Sequence, residues 1–167
     1  MDQSASTSPF LCSRCAGLGR TCCQDTQVFV TLGDLRRLRA VAGEGEFVEH
    51  ALPVAKDYLR VFEYDAVWSR AFGPGGRRRV LAHLPGGDCR FLSPTGCRLP
   101  EAARPLVCRL YPFDYNEETI KGVHGHLCPH PEADNAPLLL ALLAMNREKA
   151  EEWRKMLYRE ILEEFPD

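Results

Sequence analysis

No apolar run in this sequence is long enough to cross a bilayer. The longest, APLLLALLAM at 136–145, falls well short of the roughly 20 residues required and carries a helix-start proline at its second position. The opening MDQSASTSPFL has neither the basic stretch nor the apolar segment of a secretory signal, so the expected compartment is the reducing cytoplasm. An excess of one charge is also missing. Against 21 Lys and Arg stand 23 Asp and Glu, a net charge of −2, which leaves no global field to attract nucleic acid or an anionic membrane. Neither GxGxxG nor GxxxxGK[ST] occurs, so dinucleotide, methyl-donor and phosphate-loop chemistry has no anchor, and GPGG at 73–76 does not supply one. No Ser-His-Asp or paired-carboxylate arrangement stands out, and no catalytic motif argues for an enzyme. Cysteine itself is absent from Gln24 to Asp88.

On either side of that gap cysteine is abundant. CSRCAGLGRTCC holds Cys12, Cys15, Cys22 and Cys23, and the other four are Cys89, Cys97, Cys108 and Cys128. Buried core cysteines belong among apolar neighbours, whereas the first four lie amid Ser, Arg, Gly and Thr. Structural disulfides are rare in a reducing compartment, and here they would require export by another route. All eight therefore read as metal ligands. Cys12-x2-Cys15 is a chelating spacing, with backbone amides between the thiolates to point at sulfur. Consecutive side chains of an extended chain point in opposite directions, so Cys22 and Cys23 are expected to face different metals or different irons, with the downstream cysteines completing both sites.

Eight thiols suit two zinc ions, two iron–sulfur clusters, or one site with spares. Zinc modules usually repeat the CxxC knuckle, and only one is present. The irregular gaps downstream and the Cys128-Pro129 pair favour an iron–sulfur cluster or iron, with zinc as the alternative. His124, His126 and His130 alternate with Cys128 and would share a face of a strand, but Pro129 disturbs that strand and the expectation is that they are not ligands. Arg104 and Arg109 flank Cys108 and are candidates to donate to sulfur or offset thiolate charge. Arg77, Arg78 and Arg79 read as a solvated turn rather than a phosphate contact.

The blocks CSRCAGLGRTCC, DCRFLSPTGCRLPEAARPLVCRLYPF (88–113) and LCP (127–129) resemble the CxxCxxCC cysteine-cluster family, the YkgJ type of zinc- or iron-chelating proteins. The most specific pieces are Cys22-Cys23, Gly96-Cys97 and Arg104-Pro105-x2-Cys108-Arg109-x-Tyr111-Pro112. All eight family cysteines find a match, although the six residues between Cys15 and Cys22 exceed what the family name implies. A similar block occurs in flagellin lysine N-methylating enzymes. The resemblance implies metal chelation and leaves three roles open. These are an electron carrier, accessory or metal-handling factor; a zinc-stabilised interaction module; and a metal-dependent protein-modifying enzyme. The first is preferred, with the metal as partner and any protein partner unidentified.

The expected fold class is α+β and helix-rich, an irregular metal-binding core with short strands and a long C-terminal helix. Residues 1–9 read as disordered and 10–167 as one cysteine-cluster domain. QVFVT (27–31) reads as extended. Thr31 and Asp34 form a capping box for a helix through Leu32, Leu35, Leu38 and Val41, stopped by Gly43. A second helical pattern runs through Phe47, Val48, Ala51, Leu52, Ala55, Tyr58, Leu59 and Phe62, kinked or begun at Pro53. FGPGGRRR (72–79) reads as a mobile turn, VLAHL (80–84) and CRFL (89–92) as strands, 100–112 as a short helix and 119–130 as strand or loop. From Ala136 onward one long helix is expected, with Leu139, Leu143, Ala150, Trp153, Leu157 and Ile161 on one face and a Glu151–Lys155 pair outside.

Overall fold

The computed structural model describes residues 15–16, 21–24, 26–54, 65–125, 128 and 133–167. The expected disordered start, Cys12, the pattern from Ala55 to Phe62, His126 and His130 lie outside the described residues.

The first long element is set by its cap. Thr31 Oγ1 accepts the Asp34 N–H at 2.9 Å and the Asp34 carboxylate accepts the Thr31 N–H at 3.2 Å, the reciprocal pair that opens α1 (Leu32–Ala42). Gly43, at φ 76°, closes it by donating its N–H to Arg39 O at 2.9 Å. Only half of the expected stripe is covered: Leu35 and Leu38 are buried, while Leu32 and Val41 are 43% and 54% exposed.

The second helical pattern does not begin as a helix. Val48–Ala51 is a strand, β1, paired antiparallel with β2 (Arg78–Leu81) in the register Val48↔Leu81 to Ala51↔Arg78. Val48 and Ala51 are half-buried and Glu49 and His50 exposed, a spacing that fits one turn of helix as well as a short strand, and cross-strand pairing decides between them. The extended 27–31 segment lies along the other edge of β2, with Val30 N–H donating to Arg79 O at 3.1 Å and Leu81 N–H to Val28 O at 2.8 Å. FGPGGRRR divides into a 3₁₀ turn at Pro74–Gly76, with Gly75 and Gly76 at positive φ, and the start of β2. Asp65 caps α2 (Ala66–Ser69) through the Trp68 N–H at 2.9 Å.

CRFL becomes a strand only at its last residue. β3 (Leu92–Ser93) and β4 (Gly96–Cys97) make a two-residue hairpin, with Gly96 at φ 100°. A 3₁₀ turn at Glu101–Ala103 leads into α3 (Leu106–Leu110), followed by the antiparallel pair β5 (Phe113–Tyr115) and β6 (Ile120–Val123). The expected single helix from Ala136 is two: α4 (Ala136–Leu142) and α5 (Arg147–Glu164). Ala144 takes the left-handed conformation, φ 53°, and the Asn146 side chain accepts the Lys149 N–H at 2.8 Å, so the chain stops and is recapped. Glu151 pairs with Arg154 at 2.7 Å and accepts the Ile120 N–H at 3.1 Å rather than meeting Lys155. The α+β, helix-rich class is as expected.

Two of the three apolar clusters among the described residues join most of these elements. In the larger, Leu157 and Ile161 of α5 pack with Phe29, Trp68, Leu106, Leu110 and Ile120. Trp68 meets Phe29 edge-on at 5.3 Å between ring centroids. The smaller joins Leu35 and Leu38 of α1 to Phe47, Leu81, Phe91 and Leu99, and three cysteines pack into it.

Candidate metal centre

Cys23 is placed by a clasp. The Gln24 side chain accepts the Thr21 N–H and donates to Asp88 Oδ1, both at 2.8 Å, while Thr21 Oγ1 accepts the Cys23 N–H at 3.1 Å. Cys89 N–H then donates to Cys23 O at 3.0 Å, so the end of the N-terminal loop lies against the start of the downstream block. Cys89 leads into the hairpin, where Leu92 N–H donates to Cys89 O at 2.9 Å and Leu92 is the strand partner of Cys97. Cys23, Cys89 and Cys97 all pack in the smaller apolar cluster beside Phe47, Phe91 and Leu99. Cys108 comes from α3, after Pro105 ends the preceding loop.

The electrostatics tie these four into one group. Burial pushes the Cys108 thiol well above the ordinary range, and charge at Cys23, Cys89 and Cys97, then Asp34, pushes it further. Burial raises Cys89 to about 11, against N–H donation from Phe91 and Leu92 to its sulfur. It also raises Cys97, whose sulfur receives the Leu99 N–H and an Arg104 hydrogen bond. Cys23 runs the other way. Hydrogen bonding from the Cys22 thiol, then from Thr21, with the nearby Arg104 charge, lowers it to about 7 against the effect of burial. Near neutral pH the group is one partial thiolate among three thiols. Four ionised sulfurs would repel one another, and a soft cation is the partner that lets all four lose their protons.

That donor chemistry fits zinc or iron. Among the described residues, however, no three His, Cys, Asp or Glu side chains converge on a point that would hold an ion as they stand. The thiols share a neighbourhood without being closed on a centre. Cys15 and Cys128 lie elsewhere. Cys15 is buried with Leu139 of α4, and Cys128 packs on that pair with Val123, Leu142 and Leu143. Gly125 permits this corner: a Cβ there would stand 2.5 Å from Ala133 O. Cys128 N–H donates back to Gly125 O at 2.7 Å. Cys22 is half-buried and its thiol hydrogen-bonds to Cys23, so the adjacent pair touch across the turn.

The two flanking arginines have different tasks. Arg104 reaches Cys97 sulfur and donates its Nε to Leu99 O at 3.0 Å. Arg109 is buried and donates to Arg104 O and Ala102 O, each at 2.7 Å, which shapes the loop that presents Arg104. His124 is largely exposed and faces Asp114 Oδ2 at 3.7 Å. Sequence reading missed the Thr21–Gln24–Asp88 clasp, whose residues carry no spacing signal, and saw Asp34 only as a helix cap.

A cysteine-lined neighbourhood with N–H groups and a cation aimed at sulfur defines a thiol-based metal-chelating class of protein. The CxxCxxCC family model, described as "Putative zinc- or iron-chelating domain", matches residues 11–129, and the chain belongs to that family. No curated protein and no solved structure matches it. Among the described residues no helix is long and apolar enough to cross a membrane.

Proposed function

We propose that this is a cytoplasmic iron-binding protein in which Cys23, Cys89, Cys97 and Cys108 ligate one centre, an iron–sulfur cluster or iron, serving electron transfer or metal handling. The observation that carries this reading is the gathering of four thiols from three separate stretches of chain, with Arg104 beside them. Every donor in that set is a sulfur, which suits iron–sulfur chemistry. Bound there, the metal would supply a redox-active or cross-linking centre. The chain's own residues supply the sulfurs, the Phe91, Leu92 and Leu99 amides that favour thiolate, and the Arg104 charge that offsets it. Cys15 and Cys128 form the basis of a second site, with Cys12 joining by its spacing to Cys15, while Cys22 stays hydrogen-bonded to Cys23 at the first.

Zinc is the second reading, favoured by one detail. Two successive amides donate to Cys89 sulfur, a tight knuckle of the kind that closes around a single ion. Anaerobic purification with ample iron, followed by metal analysis, acid-labile sulfide determination and a visible spectrum, decides between them. Brown protein with sulfide supports the cluster. Stoichiometric zinc without sulfide moves the function to a zinc-stabilised interaction module, and disulfide-bridged cysteines in fresh cytosolic protein would overturn both.

A further inference from the structure

The carboxylate of Asp34 is fully buried and does more than cap α1. Its Oδ1 accepts the Leu106 N–H at 3.0 Å, at the start of the short helix that carries Cys108, and the Arg37 guanidinium at 2.6 Å. The same guanidinium donates to both oxygens of Glu160, at 2.6 and 2.9 Å, and Thr31 Oγ1 also donates to Glu160. Glu160 belongs to α5, which lies beyond the family match at residues 11–129. Its approach depends on Gly33, where a Cβ would stand 2.3 Å from the Glu160 carboxyl carbon. A capping box alone needs only Thr31 and Asp34. The extension to Arg37, Glu160 and Leu106 joins three elements around one buried carboxylate.

We infer that Asp34 is a positioning residue for the metal centre and that, through Arg37 and Glu160, it makes the hold on metal depend on how α5 is docked. This rests on the metal site proposed above. The Leu106 amide is one of the first-turn donors that α3 cannot satisfy internally, and Asp34 satisfies it from outside. Fixing that amide fixes the direction in which the first turn presents Cys108. Glu160 holds Arg37, Arg37 holds Asp34, and Asp34 holds the turn. The segment outside the cysteine block thus reaches a ligand inside it.

The test uses the whole 167-residue chain and cadmium, a soft ion that thiolate sets take whether their native occupant is iron or zinc. Cadmium–thiolate absorption reports loading, and its decay in excess chelator gives the release rate. Glu160→Gln removes the charge holding Arg37. Glu164→Gln is the control, because Glu164 also docks α5, through Arg79 at 2.6 Å and the Leu32 N–H at 2.9 Å, without touching Asp34. Release is expected about tenfold faster in Glu160→Gln and in Asp34→Asn, with Glu164→Gln within about twofold of wild type. If Asp34→Asn fails to fold, the Glu160 and Glu164 pair carries the test alone. Equal acceleration in those two variants would reduce the network to general stability and overturn the coupling. A wild-type chain that shows no cadmium–thiolate absorption would instead refute the metal site on which the coupling rests.

Discussion

The helical body around α5 and the cysteine layer around β3 and β4 are built on different terms. In the body, Leu106, Leu110, Leu157 and Ile161 are fully buried and the aromatic group of Phe29, Trp68, Tyr115 and Tyr158 fills the space between helices. The cysteine layer has a hairpin with two residues per strand, isolated bridges at Gln24↔Asp88 and His83↔Cys89, and thiols where a larger core would place leucines. A two-stranded hairpin is marginal in water by itself. Apolar burial stabilises the first region, and the second is arranged so that a bound metal can complete it.

Removing the metal is the strongest way to break that contrast. Metal binding by thiolate sites is folding free energy, on the order of 10 kcal/mol for structural zinc in small modules. Chelator treatment should therefore release the amides of Leu92 and Arg98 to hydrogen exchange while those of Leu157 and Ile161 stay protected. Uniform loss of protection in both regions would mean that the two are one cooperative unit.

A change of pH comes next in size. Cys89 at about 11, and the raised Cys97 and Cys108, are protonated at neutral pH, so an entering ion displaces about three protons. Apparent metal affinity should rise about a thousandfold per pH unit from pH 7 toward 9 and fall as pH is lowered. The metal-free chain should respond with the opposite sign. Its raised thiols contribute stability that is present below the unfolded thiol value of about 8.5 and lost as pH rises through the folded values. Competition titrations with a chelator at several pH values check the first slope, and denaturant unfolding of metal-free protein checks the second.

The complementary break is in the body. Leu157→Ala should cost about 2–5 kcal/mol, seen as a lower denaturant midpoint. Metal stoichiometry should remain that of wild type.

How much of this could be read in advance follows the same division. Thr31, Asp34 and Gly43 announced α1 because caps are local chemistry, and Leu157 and Ile161 were legible from their period. Val48–Ala51 was not, because four residues do not establish a period and the deciding partner lies near residue 80. The break at Ala144 was hidden by an apolar run that continues through it. In the site, spacing marked the cysteines, but it could not tell which of them group together. That depends on the Gln24–Asp88 clasp, a contact between residues 64 positions apart that no local signal foretells. Asp34 announced its local role alone, because Leu106, and Glu160 acting through Arg37, leave no trace near it.

The smallest predicted effect separates two arginines that look equivalent in sequence. Arg104 acts on charge: it hydrogen-bonds to Cys97 sulfur and its guanidinium favours the Cys23 thiolate. Arg109 acts on shape, since its contacts are the carbonyls of Ala102 and Arg104. Arg104→Gln keeps a polar side chain and removes the cation, so metal affinity should fall about tenfold. In the metal-free protein the pH midpoint for alkylation of Cys23 should move upward from about 7, by less than the whole shift, because the Cys22 and Thr21 hydrogen bonds remain. Arg109→Gln should instead cost about 1–3 kcal/mol of stability by removing its hydrogen bonds to the Ala102 and Arg104 carbonyls, and should move the Cys23 midpoint less than Arg104→Gln does. Rate–pH profiles of alkylation, read beside denaturant midpoints, distinguish the two. An Arg104 variant that loses stability and leaves the Cys23 midpoint in place would show that Arg104 also is only scaffold, and that sulfur charge in this layer is offset by backbone amides alone.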